Sequence, residues 1–143
     1  MPALSRWFIR CALAYLVLGF ALGATMLTLK ALAHHATMAH LIAPHVEFLL
    51  MGWTLQLTMG VAFWILPRLE GGASRGAVGY AWLAFVLVNV GVIAAGLGPL
   101  IEGATIMRLL GRTAETGGAI AFGVHAWPRV RRASIAGITT PRW

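Results

Sequence analysis

The chain has 143 residues, of which 59% are hydrophobic and only 10% are charged, and its formal net charge is +7. An average globular protein carries about 25% charged residues. With a mean hydropathy of +0.81, this composition excludes a disordered chain and argues against a water-soluble domain. We expect a single-domain integral membrane protein. No nucleic-acid partner is expected, because the basic residues lie between apolar blocks, where membrane topology accounts for them.

Four segments are long and apolar enough to cross a membrane as helices, which takes about 20 residues each. They cover residues 7–33, 44–66, 78–101 and 105–127, and residues 128–143 form a basic C-terminal tail. The first segment could also be a signal peptide ending at residues 31–33, but its apolar run exceeds the usual length of about 7–15 residues. The sequence therefore predicts an all-α fold, a membrane-spanning four-helix bundle.

The orientation follows from the uneven distribution of lysine and arginine. With four spans, the N-terminus, the loop between the second and third spans, and the tail lie on one side. Their basic residues are Arg6, Arg10, Arg68, Arg75, Arg129, Arg131, Arg132 and Arg142. Lys30, Arg108 and Arg112 lie toward the other side. We therefore expect a multi-pass protein of the inner (cytoplasmic) membrane, with lipid around it and both termini in the cytoplasm.

The second span presents two stripes when its residues are placed at intervals of about 100° around a helix. One consists of His45, Leu49, Gly52, Gln56, Phe63 and Pro67, with Gly60 at its margin. The other consists of Glu47, Thr54, Thr58 and Ile65, on nearly the opposite side. The first stripe suits haem, since an imidazole can bind the iron and glycines let a flat ring approach the backbone. It also suits a histidine at the lipid headgroups above glycines that serve helix packing.

The same span resembles the second transmembrane helix of the haem–copper oxidase catalytic subunit, a superfamily that includes nitric-oxide reductases. There a histidine binds the low-spin haem, and a glycine and a proline follow at the spacings that His45, Gly60 and Pro67 show here. Arg68 resembles the basic residue that follows, whereas Val46 stands where the family usually has glycine. The stretches PHVEFLLMGW, GVAFWILPR and FGVHAWPRV are similar to those of short four-helix membrane proteins described as cytochrome oxidase subunit I-like.

This resemblance implies haem b as the cofactor, with His45 as an axial ligand of its iron. Gly52, Gln56 and Gly60 are the residues that we expect beside the ring. The chain would supply one four-helix arc of the oxidase subunit, without the helices that carry its second haem ligand and its copper ligands. A monomer is therefore not expected to reduce oxygen, and a homo-oligomer or a partner membrane subunit would be needed to close the bundle.

Three more histidines precede His45 near the same end of the second span. His34, His35 and His40 could complete a haem site with two imidazoles or, together with His45, bind copper or zinc. The alternative is a solvated loop that binds nothing.

The fifth histidine, His125, lies near the opposite end of the bundle. Counting 1.5 Å per residue from His45 to Pro67 gives about 30 Å between the two ends, so His125 is not expected to share a haem with His45. We expect His125 at the membrane surface, with Pro128 ending the helix and Arg129 facing lipid phosphates.

The fourth span carries three charges on one face, those of Arg108, Arg112 and Glu115. Each costs about 2.5–3.5 kcal/mol at the bilayer centre on insertion scales, so they need partners. Arg112 can pair with Glu115 within the helix, and Glu47 could meet Arg108 or Arg112. This face is either a polar pocket, where the arginines hold haem propionates or Glu115 relays protons, or an ion-paired lock between helices.

Three functions are compatible with these patterns. The first is a haem-binding membrane protein that passes electrons or handles a diatomic gas. The second is a cofactor-free accessory or assembly protein, and the third is transport of haem or metal. The patterns do not decide whether the chain is an enzyme, since they contain no nucleophile–base pair, paired catalytic carboxylates or haem-attachment cysteines.

Overall fold

A computed structural model describes residues 1–69, 74–101 and 104–139. These ranges contain four long helices, α1 (Ala3–Ala31), α2 (His35–Ile65), α3 (Val78–Leu97) and α4 (Thr105–Thr139). A 3-10 turn, Gly98–Leu100, follows α3. The predicted all-α class is confirmed, and α1, α2 and α3 are each long and apolar enough to cross a membrane.

Two of the helices extend beyond the predicted spans. α2 begins at His35, so most of the predicted loop 34–43 is helical and Pro44 lies inside the helix. α4 continues through Pro128 to Thr139, twelve residues past the predicted end of the fourth span at residue 127. The proline removes one backbone donor from the helix without ending it here. The level at which the membrane surface crosses these helices stays a prediction.

The middle of α2, Phe48–Leu55, is a π-helix between two α-helical segments. A π-helix closes its hydrogen bonds over five residues instead of four, so each residue advances by less than the roughly 100° of an α-helix. Within this segment the side-chain hydroxyl of Thr54 also donates to a carbonyl oxygen five positions earlier, that of Leu49, at 2.9 Å. The wider turns rotate the residues that follow. His45, Leu49, Gly52 and Gly60 of the first stripe still face α1, whereas the second stripe divides between the buried Glu47 and the exposed Ile65.

The helices form two antiparallel pairs. In the first pair, α1 lies along α2. In the second, α4 lies along the length of α3, because Gly111 contacts the backbone of Ala95 while Nδ1–H of His125 donates to the carbonyl oxygen of Ala77 at 3.1 Å. α4 therefore covers the same distance as α3, although it is less apolar.

Aromatic side chains join the two pairs. The fully buried Phe8 of α1 makes edge-to-face contacts with Phe85 of α3 and Phe122 of α4, at ring-centroid distances of 5.2 and 6.2 Å. Tyr15 of α1 contacts Phe48 of α2 at 5.5 Å within the first pair, and Phe48 also meets α3, since a Cβ on Gly96 would lie 3.0 Å from its Cε1. Burial of these rings gives the bundle a continuous core.

The outer surface of the bundle is apolar. Val17 and Phe20 of α1 and Ile65 of α2 are 68%, 65% and 66% exposed. A water-soluble monomer rarely exposes apolar surface so continuously, and this surface is suited to contact with lipid chains.

Candidate functional site

His45 points at α1 and occupies a notch formed by two glycines. Its Nδ1–H donates to the carbonyl oxygen of Gly19 at 2.8 Å. A Cβ on Gly23 would lie 2.9 Å from Cε1 of His45, and a Cβ on Gly19 would lie 2.5 Å from Cδ2 of Leu49. Gly19 and Gly23, the two ends of the stretch GFALG, therefore receive two α2 side chains that lie four residues apart, about one turn of helix.

This hydrogen bond fixes the chemistry of the imidazole. A carbonyl oxygen can only accept, so Nδ1 carries the proton and Nε2 keeps a lone pair when the ring is neutral. Nε2 makes no hydrogen bond within the described part of the chain and is not among its buried unpartnered atoms. Metal-bound histidines usually donate the other ring N–H to a carboxylate, a backbone carbonyl or water, and the hydrogen bond to Gly19 is of the second kind.

An open groove of about 660 Å³ lies beside His45, between α1 and α2. Its volume falls within the range of about 300–1,000 Å³ usual for small-molecule sites. Most of its lining is apolar or small, and Lys30 brings one positive charge: the residues are Phe20, Gly23, Ala24, Met26, Leu27, Lys30, Met38, His45 and Leu49. The groove can therefore accept a large apolar molecule that carries negative charge at one edge.

Gly52, Gln56 and Gly60, which we expected beside a haem ring, lie elsewhere. A Cβ on Gly52 would lie 2.6 Å from the ring of Tyr15, and one on Gly60 would lie 2.7 Å from Cβ of Phe8. Gln56 is fully buried. These positions serve close packing in the interior, and none of the three lines the groove beside His45.

The structure does not gather the other histidines of this end around His45. His34, His35 and His40 are exposed, and none of them lines the groove. Within residues 1–69, 74–101 and 104–139, no three His, Cys, Asp or Glu side chains come together in a group that could hold a metal ion. A copper or zinc site here stays a prediction without structural support.

The charged residues of α4 divide between two environments. Arg112 contacts Glu47 at 2.6 Å and Glu115 at 3.1 Å, so two of the predicted ion pairs are present. Both glutamates are buried, whereas Arg112 is half-exposed. Arg108 is exposed and forms no ion pair with a described residue; its Cβ would lie 3.3 Å from a Cβ on Gly98. Neither arginine lines the groove at His45.

At the other end of the bundle, Arg129 is fully buried and holds the C-terminus of α2. It donates to the carbonyl oxygens of Pro67 and Phe63 at 2.9 and 3.2 Å and to that of Leu66. Its Nη1–H also donates to Nε2 of His125 at 3.2 Å. Carbonyls at the C-terminal end of a helix lack N–H partners within the helix. The guanidinium of Arg129 supplies hydrogen-bond donors to these carbonyls of α2.

The expectation that Pro128 ends the helix and that Arg129 faces lipid phosphates is therefore wrong. The helix continues and turns Arg129 toward Pro67. The position of His125 at the level of the membrane surface stays a prediction. The spacing of His125 and Arg129, four residues apart, was the available signal that both face the same neighbour.

Comparison with known proteins adds no relative. No protein-family model, curated protein or solved structure matches this chain.

Proposed function

We propose that this chain is a haem b-binding integral membrane protein of the cytochrome oxidase subunit I-like kind, with Nε2 of His45 as an axial ligand of the iron. The observation that carries the proposal is the hydrogen bond from Nδ1–H of His45 to Gly19, which leaves Nε2 without a partner among the described residues while His45 lines an apolar groove. The resemblance of His45, Gly60 and Pro67 to the oxidase helix supports the same ligand.

The residues of the groove fit haem in three respects. Gly23 leaves the room that the imidazole occupies, since a Cβ there would meet its ring. Phe20, Leu27 and Leu49 offer apolar contact to a macrocycle. Lys30, in the last turn of α1, can pair with a propionate. The ring would then lie between α1 and α2, and not along Gly52 and Gly60, where aromatic side chains fill the space.

A second ligand for the iron would come from one of two sources. Met38 lines the groove, and a methionine thioether binds haem iron together with histidine in some cytochromes. The other source is His45 of a second copy, since the exposed Phe20 and Leu27 at the mouth of the groove leave an apolar surface for another subunit. The second arrangement would require the homo-oligomer expected from the sequence, whereas Met38 would act within one chain.

Haem b supplies one-electron redox chemistry and a site for diatomic gases when it is bound. The chain would contribute the imidazole of His45, a cation for the propionates and an apolar wall that limits the access of water. We propose electron transfer or gas handling as the activity.

We propose four membrane crossings in the inner membrane, with both termini in the cytoplasm. α4 accompanies α3 along its length, so it crosses the same thickness of membrane. The distribution of lysine and arginine supplies the orientation.

A cofactor-free accessory or assembly protein is the second candidate. The close packing at Gly52 and Gly60 favours it, because the stripe resembling the oxidase helix is occupied by side chains of α1. Transport of haem or metal gains no such support, since His34, His35 and His40 are exposed and do not line the groove beside His45.

A visible spectrum of the detergent-purified protein, expressed with ample haem, separates these two functions. We expect reduced α-bands of a b-type haem in the native chain, their loss in His45→Ala and their retention in His40→Ala, which removes an exposed histidine of the same helix. A colourless native protein, or equal haem content in His45→Ala, would favour the accessory role.

A further inference from the structure

A shallow groove lies on the outer face of α4. Its volume is about 480 Å³, and Gly123, Val124, Trp127 and Pro128 line it. Trp127 is 70% exposed, and a Cβ on Gly123 would meet nothing within 4 Å, so the groove is open to its surroundings. Its lining is almost wholly apolar. Where α4 crosses the membrane, hydrocarbon and not water lies against this face.

Arg131 extends the face that the groove occupies. On an α-helix it projects between Trp127 and Pro128, and its Cα lies about 6 Å beyond that of Trp127 along the axis. Its side chain is exposed and forms no ion pair with a described residue. The groove therefore has an apolar body, and a cation stands at the end of it that lies toward the C-terminus of α4.

The C-terminal part of α4 reaches the cytoplasmic surface in the proposed arrangement of four crossings. Tryptophan concentrates at the level of the lipid headgroups, and Trp127 lies between the apolar lining and Arg131. After Glu115 the chain has four arginines, at 129, 131, 132 and 142, and no acidic residue. The cytoplasmic leaflet carries anionic lipids, which attract such basic segments. An anionic phospholipid therefore matches both parts of the groove, with an acyl chain for the apolar lining and a phosphate for the arginine.

A second copy of this chain is the other occupant to consider for an apolar groove in a membrane. Copies of one chain insert with the same orientation. A symmetric pair across this groove would therefore place the Arg131 side chains of both copies at one membrane surface and close together. Like charges that face each other in this way repel. A lipid phosphate has the opposite sign, so the charge beside the groove favours lipid over a second copy.

We propose that the groove on α4 binds one anionic phospholipid of the cytoplasmic leaflet, through an acyl chain along Gly123 and Val124 and a phosphate at Arg131. Trp127 packs beside the lipid where its acyl chain meets the headgroup. Apolar contact and one ion pair hold the lipid, without a covalent step. The site rests on the four proposed crossings and is independent of haem, because none of its residues lines the groove at His45.

Photo-crosslinking of the full chain in phosphatidylcholine vesicles tests the site. A small share of the lipid is a phosphatidylglycerol or, in a parallel sample, a phosphatidylcholine with a photoactivatable acyl chain, and mass spectrometry locates the adducts. We expect adducts at residues 123–128 to favour phosphatidylglycerol about fivefold, which is the contribution of one basic residue near an anionic lipid surface. Arg131→Gln should abolish this preference, and Arg131→Lys should retain it. Gly123→Leu, which fills the groove, should reduce the adducts of both lipids.

Two variants at the same predicted membrane surface are the controls. Arg10→Gln removes an exposed arginine that lies beside another tryptophan, Trp7, but not at this groove. Gly79→Leu adds the same volume at another glycine whose Cβ would meet nothing within 4 Å. Both variants should retain the adducts at residues 123–128 and the preference for phosphatidylglycerol.

Equal labelling of residues 123–128 by the two lipids, or a preference that is unchanged in Arg131→Gln, would overturn the proposal. Adducts spread evenly over the exposed faces of α1 and α3 would do the same, since they would indicate an unspecific lipid shell. Absence of adducts at this groove, together with a dimer that Gly123→Leu dissociates, would show that a second copy occupies it. The vesicles contain both lipids in both leaflets, so none of these results depends on the direction of insertion or on haem.

Discussion

The imidazole of His45 occupies the space that the missing side chain of Gly23 leaves on α1. A Cβ at Gly23 would lie 2.9 Å from Cε1 of the ring, and that ring cannot retreat without losing its hydrogen bond to Gly19. The orientation of the proposed haem ligand therefore depends on a residue of another helix.

Replacement of Gly23 tests this dependence while His45 stays in place. In Gly23→Val the added carbons should displace the imidazole and weaken the affinity for haem at least about tenfold, the equivalent of about 1.4 kcal/mol in binding free energy. Gly79→Val is the matched control, because a Cβ at Gly79 would meet nothing within 4 Å. Haem titration followed by absorbance measures both. Native haem affinity in Gly23→Val would show that the notch does not position the ligand.

Replacement of Arg129 should destabilise the bundle without affecting the proposed haem site. Arg129→Met leaves the carbonyls of Leu66 and Pro67 and Nε2 of His125 without the donor that Arg129 supplies, whereas the carbonyl of Phe63 also accepts from Arg75. At about 1–3 kcal/mol for each group left without a partner, we expect a loss of about 3 kcal/mol or more. Arg129→Lys should lie in between, since an ammonium cannot span three acceptors in the way that a guanidinium can. Unfolding in detergent gives the difference.

Arg131→Met is the control for Arg129, because it removes an exposed arginine two residues along the same helix. Its effect should stay within about 0.5 kcal/mol. Equal losses in Arg131→Met and Arg129→Met would mean that the basic character of the tail, and not the contacts of Arg129, stabilises the fold.

The α3–α4 contact should be the least tolerant of added volume. A Cβ at Gly111 would lie 2.5 Å from the backbone nitrogen of Ala95, and backbone cannot move aside as a side chain can. Gly111→Ala should therefore cost about 1–3 kcal/mol by overpacking and lower the melting temperature. Gly123→Ala, at a site with nothing within 4 Å, should be neutral or slightly stabilising, since alanine favours helix. A harmless Gly111→Ala would argue against close contact of these helices.

The helices themselves follow from the sequence because hydropathy and length dictate them. The separation of His45 from Glu47 was also predictable, and so were the pairs of Arg112 with Glu47 and Glu115, since buried charges in a membrane need partners. In the structure His45 meets α1 while Glu47 meets α4.

The faces of α2 could not be predicted in full. Helical periodicity assumes a constant angle, and the π-helix Phe48–Leu55 breaks it. Glu47 is buried whereas Ile65, expected on the same stripe, is 66% exposed. The role of Arg129 was missed because a proline at residue 128 is usually a sign that a helix is ending, and nothing local showed that α4 continues.

Four membrane crossings predict which introduced cysteines a membrane-impermeant reagent can reach from outside the cell. In a Cys11→Ser background, Ala3→Cys and Arg131→Cys should both be protected from a membrane-impermeant maleimide in intact cells, whereas the exposed Thr37→Cys should react. Disruption of the cells should expose all three. Reaction of Arg131→Cys in intact cells would mean that α4 does not cross with α3 and that the positive charge does not set the topology.

The bond between His45 and iron is the central claim, and electron paramagnetic resonance of the ferric protein tests it most directly. With 15N-labelled histidine, the native chain should show hyperfine coupling between the iron and a histidine nitrogen. That coupling should be lost or altered in His45→Ala and unchanged in His40→Ala. A haem-loaded native protein without histidine coupling, or with the same coupling in His45→Ala, would contradict the account.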